Sequence, residues 1–190
     1  MTGVQTCALP IFILNPADAS TYTHRGAAKG RKGDLGGALA DFNMAITLDP
    51  NNANAYFNRG LTLGKKGDED GALNDYNIAI SLDPKNAAAY NGRAVIRSKR
   101  GDQAGAIADY DKILAINPDA AEIYSNRGIA RNAIGDLDGA IADYTKAISD
   151  YDAAFAHMME MADTLAQGIS VKFPDKVAAS ETGRALPRTE

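Results

Sequence analysis

A step of 34 residues runs through this chain and leaves few folds open to it. Tyr22, Tyr56, Tyr90 and Tyr124 stand one step apart, as do Arg25, Arg59, Arg93 and Arg127. So do the pairs Gly33-Asp34, Gly67-Asp68, Gly101-Asp102 and Gly135-Asp136, and the alanines Ala38, Ala72, Ala106 and Ala140. Asp41, Asp75, Asp109 and Asp143 follow the same step, with Phe42, Tyr76, Tyr110 and Tyr144 beside them and Pro50, Pro84 and Pro118 further on. A period of this length marks stacked supersecondary units, each of which buries its apolar face only against its neighbours.

Each unit reads as two helices. In the second unit, helix A is predicted over Ala53 to Lys66 and helix B over Glu69 to Leu82. Gly67 can close helix A in the left-handed conformation. Asp68 then offers a carboxylate to the free N–H groups that open helix B. Ala72, Tyr76, Ala79 and Ile80 lie at i, i+4, i+7 and i+8, an apolar stripe at helical spacing. Pro84 prevents continuation.

In their order along the unit, Tyr, a small residue, Gly-Asp, Ala, an aromatic, Ala and Pro resemble the tetratricopeptide repeat family. The resemblance covers units at 19–52, 53–86, 87–120 and 121–154. It implies an all-α fold, an α-solenoid of helix-turn-helix units wound as a right-handed superhelix. In the small columns, Gly26, Gly60, Ala94 and Gly128 let helix A approach its partner, and the Ala72 column does the same from helix B. Ala94 and Ile113 make the third unit irregular and predict a slightly opened junction there.

The two ends depart from the period. Met1–Ile11 reads MTGVQTCALPI, which resembles, codon by codon, a translated sequencing-library adapter. A signal peptide is the competing reading; it fails because the segment has no Lys or Arg and no small-residue cleavage site. Setting the segment aside removes Cys7, the one cysteine, and with it any inference about redox compartment or localisation. Residues 12–18 read as the remnant of a preceding unit, since Leu14-Asn15-Pro16 matches Leu48-Asp49-Pro50. Asp152 takes the place where a fourth repeat proline would stand. Phe155, Met158, Met159, Ala162, Leu165 and Ala166 form one apolar face of a helix over 153–167. We expect it to cap the array as a degenerate helix A, or else to fold into the groove as an internal ligand. Residues 168–190 are expected to form a flexible tail.

Two columns carry cations where the family places apolar or aromatic residues: Arg25, Arg59, Arg93 and Arg127, and Lys29, Leu63, Arg97 and Arg131. A bare guanidinium between helices is costly. The acids Asp41, Asp75, Asp109 and Asp143 of helix B are the available partners, so an Arg–Asp ladder is expected, within or between units.

Chemistry is harder to find. Gly60 to Lys66 is one residue short of a phosphate-binding loop and falls on a helix. Asp68-Glu69-Asp70-Gly71 and Asp136-Leu137-Asp138-Gly139 place their glycine too early for a calcium loop. The two histidines, His24 and His157, build no zinc site, and carboxylates spread at 34-residue spacing do not converge for acid–base work. No catalytic, metal or cofactor site is expected. A net charge of −4 argues against nucleic acid as a partner, and no apolar run reaches the length of a membrane span. The oligomeric state is left open.

What remains is the concave surface, which the family resemblance assigns to helix A. The groove candidates are Thr23, His24, Phe57, Asn58, Leu61, Asn91, Val95, Ser125, Asn126 and Ile129. Asparagines offer both donor and acceptor to an extended peptide backbone, and Phe57, Leu61, Val95 and Ile129 form an apolar stripe beside them. Arg31, Lys65 and Lys99 add a positive rim. Some family members grip a C-terminal carboxylate with a Lys/Asn/Arg set. Asn58 and Asn126 match the Asn column, but the Lys and Arg partners are absent, and that specificity is not expected. The chain is therefore expected to be an interaction module or scaffold that binds a peptide or helix of a partner protein. The alternative is the C-terminal repeat region of a larger enzymatic or secreted protein.

Overall fold

The computed structural model describes residues 18–170, with side chains described as far as residue 163. The segments 1–11 and 12–17, and 171–190 of the expected tail, lie outside the described residues. Eight helices follow in order, with no strand among the described residues: α1 (Ala19–Lys32), α2 (Leu35–Leu48), α3 (Ala53–Lys65), α4 (Glu69–Leu82), α5 (Ala87–Lys99), α6 (Gln103–Ile116), α7 (Ala121–Ala133) and α8 (Leu137–Ser170). Each helix packs mainly on the next, in the pairs α1–α2, α3–α4, α5–α6 and α7–α8. The structure is an all-α solenoid.

The turns follow from two residues. Gly33, Gly67, Gly101 and Gly135 take φ between +83° and +92°, a region costly to residues with a Cβ. The next residue is always Asp, and its carboxylate accepts the N–H three residues on: Asp34 from Gly37, Asp68 from Gly71, Asp102 from Gly105 and Asp136 from Gly139, at 2.8–3.0 Å. Asn52 and Asn86 cap α3 and α5 in the same way. Ala120 stands in that column before α7 and supplies no side-chain cap.

The small columns work by contact. A Cβ on Gly26 would lie 2.7 Å from Cε1 of Phe42, and one on Gly128 would lie 2.8 Å from Cε1 of Tyr144. Gly92 is a departure specific to the third unit: a Cβ there would lie 2.6 Å from Cζ of Tyr76, in the preceding unit. Tyr76 thus reaches across the junction and lies against the α5 backbone. Ala94 is fully buried in the cluster that also holds Tyr110 and Ile113.

The C-terminal end differs from expectation. The helix expected over 153–167 is not a separate cap and does not turn back; it is the distal half of α8, which runs without a break to Ser170. Residues 168–170, assigned to the tail, are helical too. The cause is local. In the first three units a residue before proline is forced extended: Asp49, Asp83 and Asn117 take φ between −139° and −132°. Tyr151-Asp152 lacks both the proline and the constraint. The pair Lys146–Asp150, at 2.5 Å, also braces the helix just before the expected break.

Candidate functional site

A polar spine of Arg–Asp pairs ties helix A to helix B in each unit and links successive units. Arg59 donates from Nε and Nη2 to the two carboxylate oxygens of Asp75, both at 2.7 Å. Arg25, Arg93 and Arg127 do the same to Asp41, Asp109 and Asp143. The pairs lie within units and tie helix A to helix B. The remaining Nη1 reaches back to helix B of the preceding unit: Arg59 to Asn43, Arg93 to Asn77 and Arg127 to Asp111, at 2.8, 2.7 and 2.5 Å. Each guanidinium also lies over the tyrosine one turn earlier, 5.1–5.4 Å from the ring centroid.

The second cation column shares the same carboxylates. Lys29 lies 2.9 Å from Asp41, Arg97 from Asp109 and Arg131 from Asp143. Leu63 leaves Asp75, whose side chain is only 1% exposed, with Arg59 as its sole cation among the described residues. Hydrogen bonding from Arg25 holds the Asp41 carboxyl down at about 2. The same contacts raise Arg25, Arg59 and Arg127 above the usual guanidinium value. Burial, with Asp75 next in effect, pushes the Tyr76 hydroxyl up.

Cavities lie between successive A helices. One cavity of about 430 Å³ lies between α1 and α3, lined by His24, Ala27, Arg31, Phe42, Asn58, Leu61 and Lys65 among others. The next, about 400 Å³ between α3 and α5, is lined by Leu61, Lys65, Tyr76, Asn91, Val95, Ile96 and Lys99 among others. Leu61 belongs to both, so the cavities are consecutive stations of one groove. Asn91 Oδ1 is buried and has no hydrogen-bond partner among the described residues.

His24, Asn58 and Leu61 therefore meet in the first station, and Leu61, Asn91 and Val95 in the second. Ser125 and Asn126 are half-buried on α7, beside the exposed Ile129. Thr23 lines a third cavity, of about 270 Å³, with His24 and Asn58 among others; its side chain is largely buried, and its hydroxyl donates to Ala19 O and accepts from Asn52 across the α1–α3 junction. One candidate sits elsewhere. Phe57 is half-buried, with its ring 6.2 Å from that of Tyr76, and packs on the core. Lys99 is drawn off the positive rim by Glu69, which also accepts from Arg100. Arg31 and Lys65 form no ion pair among the described residues. The sequence reading missed the Gly92–Tyr76 contact, for which the only signal was a glycine in a column otherwise His or Asn. No cluster of three or more His, Cys, Asp or Glu able to hold a metal occurs among the described residues, and no described helix is long and apolar enough to cross a membrane.

Comparison with known proteins agrees with this geometry. A family model described as TPR repeat matches residues 31–67, and one described as tetratricopeptide repeat matches residues 57–121. Residues 31–121 belong to the tetratricopeptide repeat family. Solved tetratricopeptide repeat structures share the chain's fold. A crystal structure of MamA superposes with a TM-score of 0.70 at 23% identity, covering 75% of this chain and 83% of that one. MamA from Desulfovibrio magneticus RS-1 gives 0.65 at 20% identity, covering 73% and 78%. The first tetratricopeptide domain of Spaghetti (RPAP3), bound to the HSP90 peptide SRMEEVD, gives 0.60 at 21% identity, covering 62% and 94%. A comparison with curated proteins yields no match.

Proposed function

We propose that this tetratricopeptide array binds an extended peptide segment of another protein along the trough formed by α1, α3 and α5. The observation that carries the reading is Asn91: a buried amide oxygen without a partner among the described residues, in a cavity lined by apolar Leu61, Val95 and Ile96 and rimmed by Lys65, Glu69 and Lys99. An unmatched buried acceptor costs on the order of 1–3 kcal/mol. A small side-chain rotation would present it to a peptide N–H, which would remove that cost. Leu61 and Val95 flank it with exposed apolar surface suited to anchoring side chains. Arg31 and Lys65 favour an acidic residue at the α1–α3 station. The peptide-bound Spaghetti domain, of the same fold, supports this class of function.

Selection from a displayed library of random peptides tests the reading. The native chain should enrich one motif, apolar with an acidic position. Binding of that motif should fall at least tenfold in Asn91→Ala and in Val95→Glu, both with unchanged circular dichroism. Phe57→Ala is a poor probe because it also opens the core. Failure to enrich any motif, or equal binding by both variants, would count against the groove.

A further inference from the structure

We propose that two copies of this chain pair through α8, each laying the distal half of that helix on the terminal face of the other. The face is identified by the repeat itself. Ile46, Ile80 and Leu114 share one column and are half-buried or buried, as are Leu39, Leu73 and Ile107 in another. In these units the next helix A lies over them; Ile80 and Leu114 pack in one cluster with Tyr90 and Tyr124. Ile148 and Ile141 continue the two columns and are 61% and 63% exposed. The fourth unit presents the surface that every earlier unit covers.

The structure also gives the register of the missing cover. The cross-junction bonds join residues 43 and 59, 77 and 93, and 111 and 127. These pairs are centred on positions 51, 85 and 119, so the next centre in the series is 153. Reflecting α8 about residue 153 pairs Tyr151 with Phe155, Ile148 with Met158, and Tyr144 with Ala162. Every pair is apolar. Their spacing alternates three and four residues, the seam by which two helices pack side by side. The reflection also pairs Thr145 with Met161, so no arginine is left to seek a carboxylate or amide. One straight helix cannot make these contacts with itself. A second copy, antiparallel and related by a two-fold axis, makes each of them twice, along about 28 Å of helix. Tyr151, Phe155, Met158, Met159 and Met161 project beyond the array at 50–61% exposure, which the same pairing would cover.

Sedimentation of the full chain at micromolar concentration should give twice the 20.0 kDa chain mass. Ile148→Glu combined with Met158→Glu should give that single mass, with helicity unchanged. Register is read from single-cysteine chains in a Cys7→Ser background. An oxidised mixture of Ile148→Cys and Met158→Cys chains should form the mixed disulfide, and neither chain alone should cross-link. A native monomer, whether its face is bare or covered by residues 171–190, overturns the proposal. So does a glutamate variant that stays dimeric, or cross-linking of like positions only, which marks a parallel pair.

Discussion

The second unit should be the most sensitive point of the polar spine. Among the described residues Arg59 is the only cation on Asp75, whereas Asp109 is held by both Arg93 and Arg97. Arg59→Met removes two bonds of 2.7 Å from a carboxylate that is 1% exposed. An uncompensated buried charge of this kind costs about 3–5 kcal/mol. Arg93→Met leaves Asp109 with the Arg97 contact at 2.9 Å and removes only charged hydrogen bonds, about 1–3 kcal/mol. Urea unfolding followed by circular dichroism, with the slope checked for constancy, should therefore rank Arg59→Met as the worse by about 2 kcal/mol. Two further variants probe the cause. Leu63→Arg in the Arg59→Met background places a cation where Arg97 and Arg131 sit, and should recover at least about 1 kcal/mol. Asp75→Asn combined with Arg59→Met should cost less than the sum of the two single changes. Equal losses from Arg59→Met and Arg93→Met, no rescue by Leu63→Arg and an additive double variant would together refute the account.

Gly92→Asn installs the residue found at the equivalent Asn58 and Asn126, yet should destabilise by about 1–3 kcal/mol, because its Cβ meets the Tyr76 ring; thermal denaturation reads the loss. Asp41 sits at about 2, below its ordinary value of 3.8. Its contribution is therefore fully present above the ordinary value and is lost as pH falls through about 2. The melting temperature should drop over that acid window, and less so in Asp41→Asn. Asp152→Pro restores the break seen after α2, α4 and α6; it should end the helix near Tyr151, let 153–167 fold back on its own chain, and turn the proposed dimer into a monomer by sedimentation.

The helix pairs were legible because each carries its own punctuation: a left-handed glycine, a capping aspartate, and in three units a proline. The Arg–Asp pairing was legible as a charge-balance problem, since a cation column inside a helix interface needs an acid column opposite. Its extension to Asn43, Asn77 and Asp111 was not, because those side chains look like ordinary exposed polar residues until the units are stacked. The course of α8 was missed for a related reason. Met158 and Ala162 echo Tyr124 and Gly128, so the period suggested another helix A. Whether a helix turns is decided instead by the residues between, and Asp150-Tyr151-Asp152 contains nothing that stops one. Family resemblance assigns Phe57 to the groove. Its packing on the core depends on side-chain direction about the helix, which a column assignment does not carry.

The backward reach of each arginine bears on how such an array can grow. A unit copied whole brings an arginine for the unit before it and an asparagine or aspartate for the unit after it, so copies join without any change at the seam. Thr145 breaks that series: its hydroxyl donates to Ile141 O of its own helix, and it offers no amide or carboxylate acceptor to an incoming guanidinium. Duplication inserted after the third unit would propagate intact junctions. Duplication after the fourth would strand an arginine, and would have to repair residue 145 first.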